Sequence, residues 1–393
     1  MYSAYFDYAA SSPMDKRVLN EIKPYFQEKY GNPSSLYSLG RESMRIIQKA
    51  RSQVAHLINA DEKSLIFTSC ASESNNWALK GVVSKRENKG KKILISAVEH
   101  TSIISPCEQL EKQGFTIEKI PVSKEGLIDI EILEELLTSD TIFVSIQAAN
   151  SEMGTIQDIK TLSKLIHDKV EKIIFHVDAV AALGKIPIDV KDWNVDLLTI
   201  SSNEIYGPKG IAALYKKQGT PLERLITGGG QEMRLRAGTE NVPGIVGFGA
   251  AAELTQNEMN QDNNRLRPLR DKIIQSLTTE IPYCFLNGHS ELRLPTNASV
   301  RINFIEGESL LLNLEMEGIS AATGSACAAK SLEPSHVLLA MGIPHEEAHG
   351  SLVLNLGKPT TSEEVDHLLS ILPDIIHKLR MMSPLTPPEL LKE

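Results

Sequence analysis

No run of eighteen consecutive apolar residues occurs in the chain, although hydrophobic residues make up 41% of it. No segment is therefore long enough to cross a bilayer as a helix, and no membrane partner is expected. There is no CxxC pair: Cys70, Cys107, Cys284 and Cys327 lie far apart, which excludes a disulfide framework and a zinc site of paired cysteines. Positive charge is not in excess, with 41 Lys and Arg against 50 Asp and Glu and a net charge of −9. That balance argues against nucleic acid as a ligand. The opening Met1-Tyr-Ser-Ala-Tyr-Phe-Asp7 has neither a basic start before an apolar stretch nor an Arg-rich amphipathic pattern. No targeting segment is expected there, and a cytoplasmic location follows as the expectation. No internal repeat is visible.

What is present describes a globular protein large enough for a main domain and a smaller companion, since 393 residues exceed the usual limit of a single core. Short apolar runs, Ser64-Leu-Ile-Phe-Thr68, Lys92-Ile-Leu-Ile-Ser96, Thr141-Ile-Phe-Val-Ser-Ile146, Lys172-Ile-Ile-Phe-His-Val177 and Asp196-Leu-Leu-Thr-Ile200, read as buried strands. Stretches such as Thr161-Leu-Ser-Lys-Leu-Ile-His167 place apolar residues at helical spacing between them. The alternation predicts an α/β domain with an open, largely parallel sheet, whose ligands lie outside the carboxyl ends of the strands. The polar stretch Asn257 to Asn264 suggests a change of domain near residue 256. The expected division is a large α/β domain over residues 15–255 and a small α+β domain from 1–14 with 256–393, ending in a Pro-rich surface tail after Ser383.

Several polar clusters fall where strands should end. Ser69-Cys-Ala-Ser-Glu-Ser-Asn-Asn76 follows a strand and opens a helix, so its backbone N–H groups suit a phosphate, although such a turn more often serves as an ordinary helix cap. Asp178, in His176-Val-Asp-Ala179, can pair with a protonated ring nitrogen or cap the next helix. His100, in Val98-Glu-His-Thr-Ser102, can stack on a planar cofactor or be a structural histidine. The loops Gly228-Gly-Gly-Gln-Glu232 and Arg236-Ala-Gly-Thr-Glu-Asn241 offer a guanidinium and a hydroxyl to a phosphate of a neighbouring subunit. Cys327 sits in Thr323-Gly-Ser-Ala-Cys-Ala-Ala329, too short of bulky side chains to pack, which predicts an accessible thiol fit for sulfur chemistry. Cys70, Cys107 and Cys284 adjoin apolar or helical segments and are expected to be packed and inert.

In this order, these segments resemble the NifS/IscS cysteine desulfurases, of the fold-type-I pyridoxal-phosphate proteins with an aspartate-aminotransferase-like fold. The resemblance spans nearly the whole chain and adds Tyr30-Gly-Asn-Pro-Ser-Ser35, Glu152-Met-Gly-Thr-Ile-Gln157, Tyr206-Gly-Pro-Lys-Gly210 and Pro334-Ser-His-Val-Leu338 to the motifs above. It implies a homodimer acting in sulfur delivery and iron–sulfur cluster assembly. His100 would stack on the pyridine ring, Asp178 would hold its nitrogen, and Asn150 would lie near its phenolic oxygen. Ala71, Ser72, Ser201, Asn203 and the partner subunit's Thr239 would surround the phosphate. Cys327 would be the thiol that attacks the substrate's sulfur and carries the persulfide.

Against the family pattern, Glu204 stands in place of the lysine that holds the cofactor, and Asn203 in place of a phosphate-binding histidine. Val353 replaces the arginine that clamps the substrate's carboxylate, Ala181 a glutamine beside the cofactor oxygen, and Tyr37 a histidine. A carboxylate cannot form an imine, and losing a buried charge-assisted pair costs about 2–5 kcal/mol of binding. The departures share one task, holding cysteine on the cofactor, whereas the Cys327 loop is intact.

The pattern resembles an archaeal-type IscS branch without the lysine, in which the loop cysteine helps hold an iron–sulfur cluster on a scaffold. A thiolate is a suitable iron ligand, so Cys327 is also the candidate metal ligand. The leading expectation is an iron–sulfur assembly protein that docks a scaffold of the IscU type and presents Cys327 to sulfur, from L-cysteine or external sulfide, or to a nascent cluster. A second is a desulfurase using noncovalent pyridoxal or pyridoxamine phosphate, with Glu204 or His100 moving protons. A third is a binding module without chemistry. Glu204 is expected beside the carbon that normally bears the imine, favouring the amine form of the cofactor.

Overall fold

The computed structural model describes residues 4–324 and 334–391. The chain opens on strand β1 (Ala4–Tyr5) and then builds β2 (Leu65–Thr68), β3 (Lys92–Ser96), β4 (Thr116–Ile120), β5 (Thr141–Ser145), β6 (Ile174–Asp178), β7 (Leu197–Ser201) and β8 (Ala212–Lys216). These seven form one sheet in the order β2-β8-β7-β6-β5-β3-β4. Strand β8 is antiparallel to both neighbours, while the pairs from β7 to β4 are parallel. The central strands are buried along their length because both faces are covered, as a parallel sheet requires.

Alternation along each strand divides the sheet's side chains between two layers. Phe143, Ile174 and Leu197 pack with Trp77 and Val82 of the helix Ala71–Arg86 and Ile103 and Cys107 of the helix Thr101–Glu111. Their neighbours Val144, Phe175 and Leu198 point the other way, onto Ile47 and Val54 of the helix Ser38–Leu57, Ile166 of the helix Ile159–Lys169 and Phe248. The sheet is thus the middle of three layers, and the α/β architecture expected from the sequence is the one observed.

A second core forms around a three-stranded antiparallel sheet, in which β10 (Asn297–Ile302) lies between β9 (Cys284–Leu286) and β12 (Ser351–Asn355). Helices Gly307–Met316 and Ser362–Met382 supply Leu310, Leu314, Leu368 and Leu372 to it. A reciprocal capping box between Thr361 and Glu364 starts the latter helix. The N-terminus joins this core through Phe6, and β1 pairs with β11 (Ile319–Ser320).

Where a change of domain is expected, near residue 256, the chain runs on as one helix from Val242 to Glu280. Its first part buries Ile245, Phe248 and Ala252 against the first core, and its last part buries Leu266, Ile273 and Leu277 against the second. The polar stretch between them is the exposed middle of a continuous rod. There Glu258 pairs with Arg17 and with Lys358, ion pairs that suit a solvated helix face and require no chain break. No helix among the described residues is long and apolar enough to cross a membrane.

Candidate cofactor and ligand site

The ends of β3, β5 and β6 bring together the residues singled out in sequence. Asp178 closes β6 and is 6% exposed. Its Oδ1 accepts from Val180 N (3.0 Å) and its Oδ2 from Asn75 Nδ2 (2.7 Å). Burial raises the pKa of this carboxyl, and the two hydrogen bonds oppose that shift. Asn75 Nδ2 also donates to Ser102 Oγ (2.8 Å), which lies 2.7 Å from His100 Nδ1. A single amide therefore ties the helix bearing His100 to the carboxylate of Asp178. His100 caps the helix Thr101–Glu111: its Nδ1 accepts from Ser102 N (3.1 Å), leaving the proton on Nε2, and its ring is exposed.

Beneath His100 runs a second buried network. Glu99 is wholly buried, and Ser145 Oγ donates to its Oε1 (3.2 Å), while Oε2 has no partner. Ser145 Oγ lies 2.9 Å from His176 Nδ1, and His176 Nε2 lies 3.0 Å from Thr199 Oγ1. Burial, and secondarily the charge of Asp178, pushes Glu99 up to about 8, and burial drives His176 down to about 3. Burial thus disfavours the charged form of both groups.

The other expected residues are distributed more unevenly. Ala71 and Ser72 begin the helix Ala71–Arg86, to which Cys70 contributes no side-chain cap, so the helix presents N–H groups that an anion could take. Ser201 ends β7, and Asn203 follows on the short turn Ser202–Ile205. The Asn203 Oδ1 meets Ser12 N at 3.4 Å, and its carbonyl accepts from the Ser12 hydroxyl. Asn150 commits its amide to the backbone: Oδ1 accepts from Glu152 N and Met153 N (both 2.9 Å), and Nδ2 donates to Val98 O (3.2 Å). Thr239 lies with Ser69 and Arg236 on a separate hollow of about 200 Å³. There Arg236 spends its guanidinium on Glu73 of its own chain (2.9 and 3.2 Å).

Glu204 differs most from expectation. Its Oε2 forms an ion pair with Lys185 Nζ at 2.7 Å, the two side chains being 8% and 14% exposed. Glu204 is not among the residues lining the cavity beside His100. The bare carboxylate expected to favour an amine form of the cofactor is thus already matched by a cation. Nothing in the composition of Ala181-Ala-Leu-Gly-Lys185 signalled that partner.

The cavity beside His100, about 500 Å³, is lined also by Asp7, Glu99, Asn150, Glu152 and Val353. Val353, on β12, presents an apolar face where the resemblance calls for a guanidinium. Its backbone exchanges hydrogen bonds with Ala322 (2.8 and 3.2 Å), tying β12 to the segment that leads to Gly324. Cys327, expected as catalytic thiol and metal ligand, lies outside the described residues. Among the described residues no group of three or more His, Cys, Asp or Glu is arranged to hold a metal ion. Cys107 and Cys284 are buried, with thiols pushed up to about 12, whereas Cys70 is exposed beside the uncapped helix start and is not the packed thiol expected.

Tested against pyridoxal phosphate, the residues fit a noncovalently held group. The buried carboxyl of Asp178 is tied through Asn75 and Ser102 to the exposed imidazole of His100, and an uncapped helix N-terminus is available for a phosphate. No lysine is among the described residues that line the cavity.

Comparison with known proteins agrees. The family model described as Aminotransferase class-V matches residues 4–368. The chain is 52% identical over 381 residues to a protein named cysteine desulfurase IscS 1 from Archaeoglobus fulgidus, covering 97% of this chain and 99% of that one. A solved structure described as a NifS-like protein superposes with a TM-score of 0.90 at 36% identity, covering 96% of this chain and all of that one. Another, described as SspA in complex with cysteine, gives 0.80 at 34% identity over 91% of this chain and all of that one.

Proposed function

The chain belongs to the class-V aminotransferase family, among its IscS/NifS cysteine desulfurases, and from that premise we propose that it serves iron–sulfur cluster assembly without cleaving cysteine in the ordinary way. The members of this family use pyridoxal phosphate as cofactor. In this reading the protein is a homodimer that docks a scaffold of the IscU type and presents Cys327 to sulfur or to a nascent cluster. The observation that carries it is the state of Glu204: the residue at the position of the family's lysine is a carboxylate, and its charge is spent on Lys185. It offers neither an amine to the cofactor nor a free base to the substrate.

Bound here, pyridoxal phosphate supplies an electron sink for charge released at an amino acid's α carbon. Asp178, fixed by Asn75 and Val180, would hold the ring nitrogen, and His100, fixed by Ser102, would lie on the ring. The N–H groups at Ala71 and Ser72, with Ser201, would take the phosphate. Val353 supplies no charge to a substrate carboxylate, so cysteine enters without its family clamp.

Incubation with a scaffold of this type, iron and free sulfide tests the proposal: cluster yield should fall on Cys327→Ser. An unchanged yield would sink it. The preserved Asp178–Asn75–Ser102–His100 network favours a second reading, a desulfurase that works with noncovalent cofactor. Sulfide released from L-cysteine well above the rate with free cofactor would support that reading; none, with activity gained on combined Glu204→Lys and Val353→Arg, would exclude it.

A further inference from the structure

We propose that Arg293 and Asn297, neither of which lines the cavity beside His100, are positioning residues that hold two of its walls in register. The proposal deepens the reading of that cavity as a cofactor site and rests on it, because the placement of Asn150 is what the two residues govern.

The two walls come from different cores. Asn150, Ser151 and Glu152 belong to the turn that follows β5, and Val353 and Asn355 to β12. The turn closes on itself, Asn150 N donating to Thr155 O (3.1 Å) and Gly154 N to Asn150 O (2.9 Å). Its far end is stitched to the second core: Leu294 N donates to Gly154 O (2.8 Å), Ile156 N to Leu292 O (2.9 Å) and His289 N to Thr155 Oγ1 (3.0 Å).

One amide completes the seam. Asn297, wholly buried at the start of β10, directs its Nδ2 to Ser151 O (3.0 Å), Glu152 O (3.2 Å) and Asn355 Oδ1 (3.1 Å). Asn355 Nδ2 returns to Ser151 O (3.2 Å). The turn bearing Asn150 and the strand bearing Val353 therefore meet on a single donor group. Arg293 fixes the direction of that group. Its Nη1 donates to Asn297 Oδ1 (2.7 Å) and Asn297 O (3.3 Å), its Nε to His289 O (3.0 Å) and its Nη2 to Asn287 O. A flipped amide would set its NH2 against the guanidinium, two donors face to face.

Arg293 is 3% exposed, and all these acceptors are carbonyl oxygens rather than carboxylates. A buried cation without a counter-ion is costly. What the guanidinium adds over a neutral side chain is a rigid fork of donors. The turn also has to come close: a Cβ on Gly154, whose φ is +82°, would collide with Asn297 Oδ1 and lie 2.7 Å from Arg293 Nη1. A shift of about 1 Å in such a turn is enough to weaken the site that it lines.

Titration of pyridoxamine phosphate into the full-length chain tests the assignment, read by fluorescence and by the pH midpoint of the bound ligand's absorbance. That midpoint reports the phenolic oxygen, which the cofactor reading sets near Asn150. Asn297→Asp keeps the acceptor for Arg293 and removes the donor to the turn. Affinity should then fall at least about 5-fold, equal to about 1 kcal/mol, and the midpoint should move. Arg293→Lys, which keeps the charge and loses the fork, should fall between this variant and the unaltered chain. Arg380→Gln is the control, since Arg380 is 4% exposed and bonded to Pro282 O (2.6 Å) and Asn303 O (3.3 Å), neither residue in the lining. Its loss should lower Tm and leave affinity and midpoint alone. Unchanged affinity and midpoint in Asn297→Asp overturn the proposal, as does an equal loss in Arg380→Gln. Failure of both Asn297→Asp and Arg293→Lys to fold also overturns it, by making the pair a requirement of the fold alone. If the unaltered chain binds no pyridoxamine phosphate, the cofactor reading falls together with this one. If it binds and Asn297→Asp binds equally well, the cofactor reading stands and this one falls.

Discussion

Replacing Glu204 by alanine would leave the Lys185 ammonium, 14% exposed, without the carboxylate that now lies 2.7 Å away. At that distance and an effective dielectric near 20, the Coulomb attraction is about 6 kcal/mol. Most of it offsets the cost of removing both charges from water. Breaking one side of a fully buried pair costs about 3–5 kcal/mol, and the residual exposure here sets the expected loss at about 2–4 kcal/mol. For a chain of this size that is a fall in Tm of about 2–5 °C, at about 1.2 °C per kcal/mol. Lys185→Ala should cost a similar amount by stranding Glu204. The double variant should recover much of the loss, giving a coupling of about 1–3 kcal/mol in denaturant unfolding. Glu204→Lys, which restores the family's residue, should be worse than Glu204→Ala because it sets two ammonium groups together. An unshifted Tm in Glu204→Ala with additive single effects would refute the reasoning and free Glu204 to act as a base.

Other predictions follow from buried titratable groups and thiols. Glu99 is raised from its ordinary 4.5 to about 8, chiefly by burial, so the folded chain keeps a proton that the unfolded chain releases. Its contribution to stability is complete below about 4.5 and is lost as pH rises through about 8. Glu99→Gln should flatten that part of the Tm–pH profile; an unchanged slope would mean that Glu99 is ionised when buried. Exposed Cys70 should react with a maleimide before buried Cys107 and Cys284, as peptide mass mapping would show, and equal rates for the three would contradict the packing described.

Much of the fold was legible because buried parallel strands are written as continuous apolar runs. Five such runs were located in the sequence, and each became a strand of the main sheet to within a residue or two. Strand β4 was not, since Thr116–Ile120 is an edge strand with mixed polarity and leaves no such trace. The middle of the long helix left little trace for a related reason: its polar stretch carries no apolar face, and the ion pairs of Glu258 with residues 17 and 358 come from distant parts of the chain.

The site divides in the same way. Residue types at the ends of strands, together with their order, determined the family, the candidate roles of His100 and Asp178, and the substitutions at Glu204 and Val353. These depend on identity and local position, which a sequence carries directly. Partners depend on approach between segments far apart in the chain, and only the folded structure decides them. It placed Lys185 against Glu204, Asn75 between Asp178 and Ser102, and Glu73 on Arg236. It also left Glu99 Oε2 and Glu152 Oε1 buried without hydrogen-bond partners. The chemistry available to a side chain is set by its surroundings as much as by its type: Glu204 is a possible base in the sequence and an ion-paired anchor in the fold.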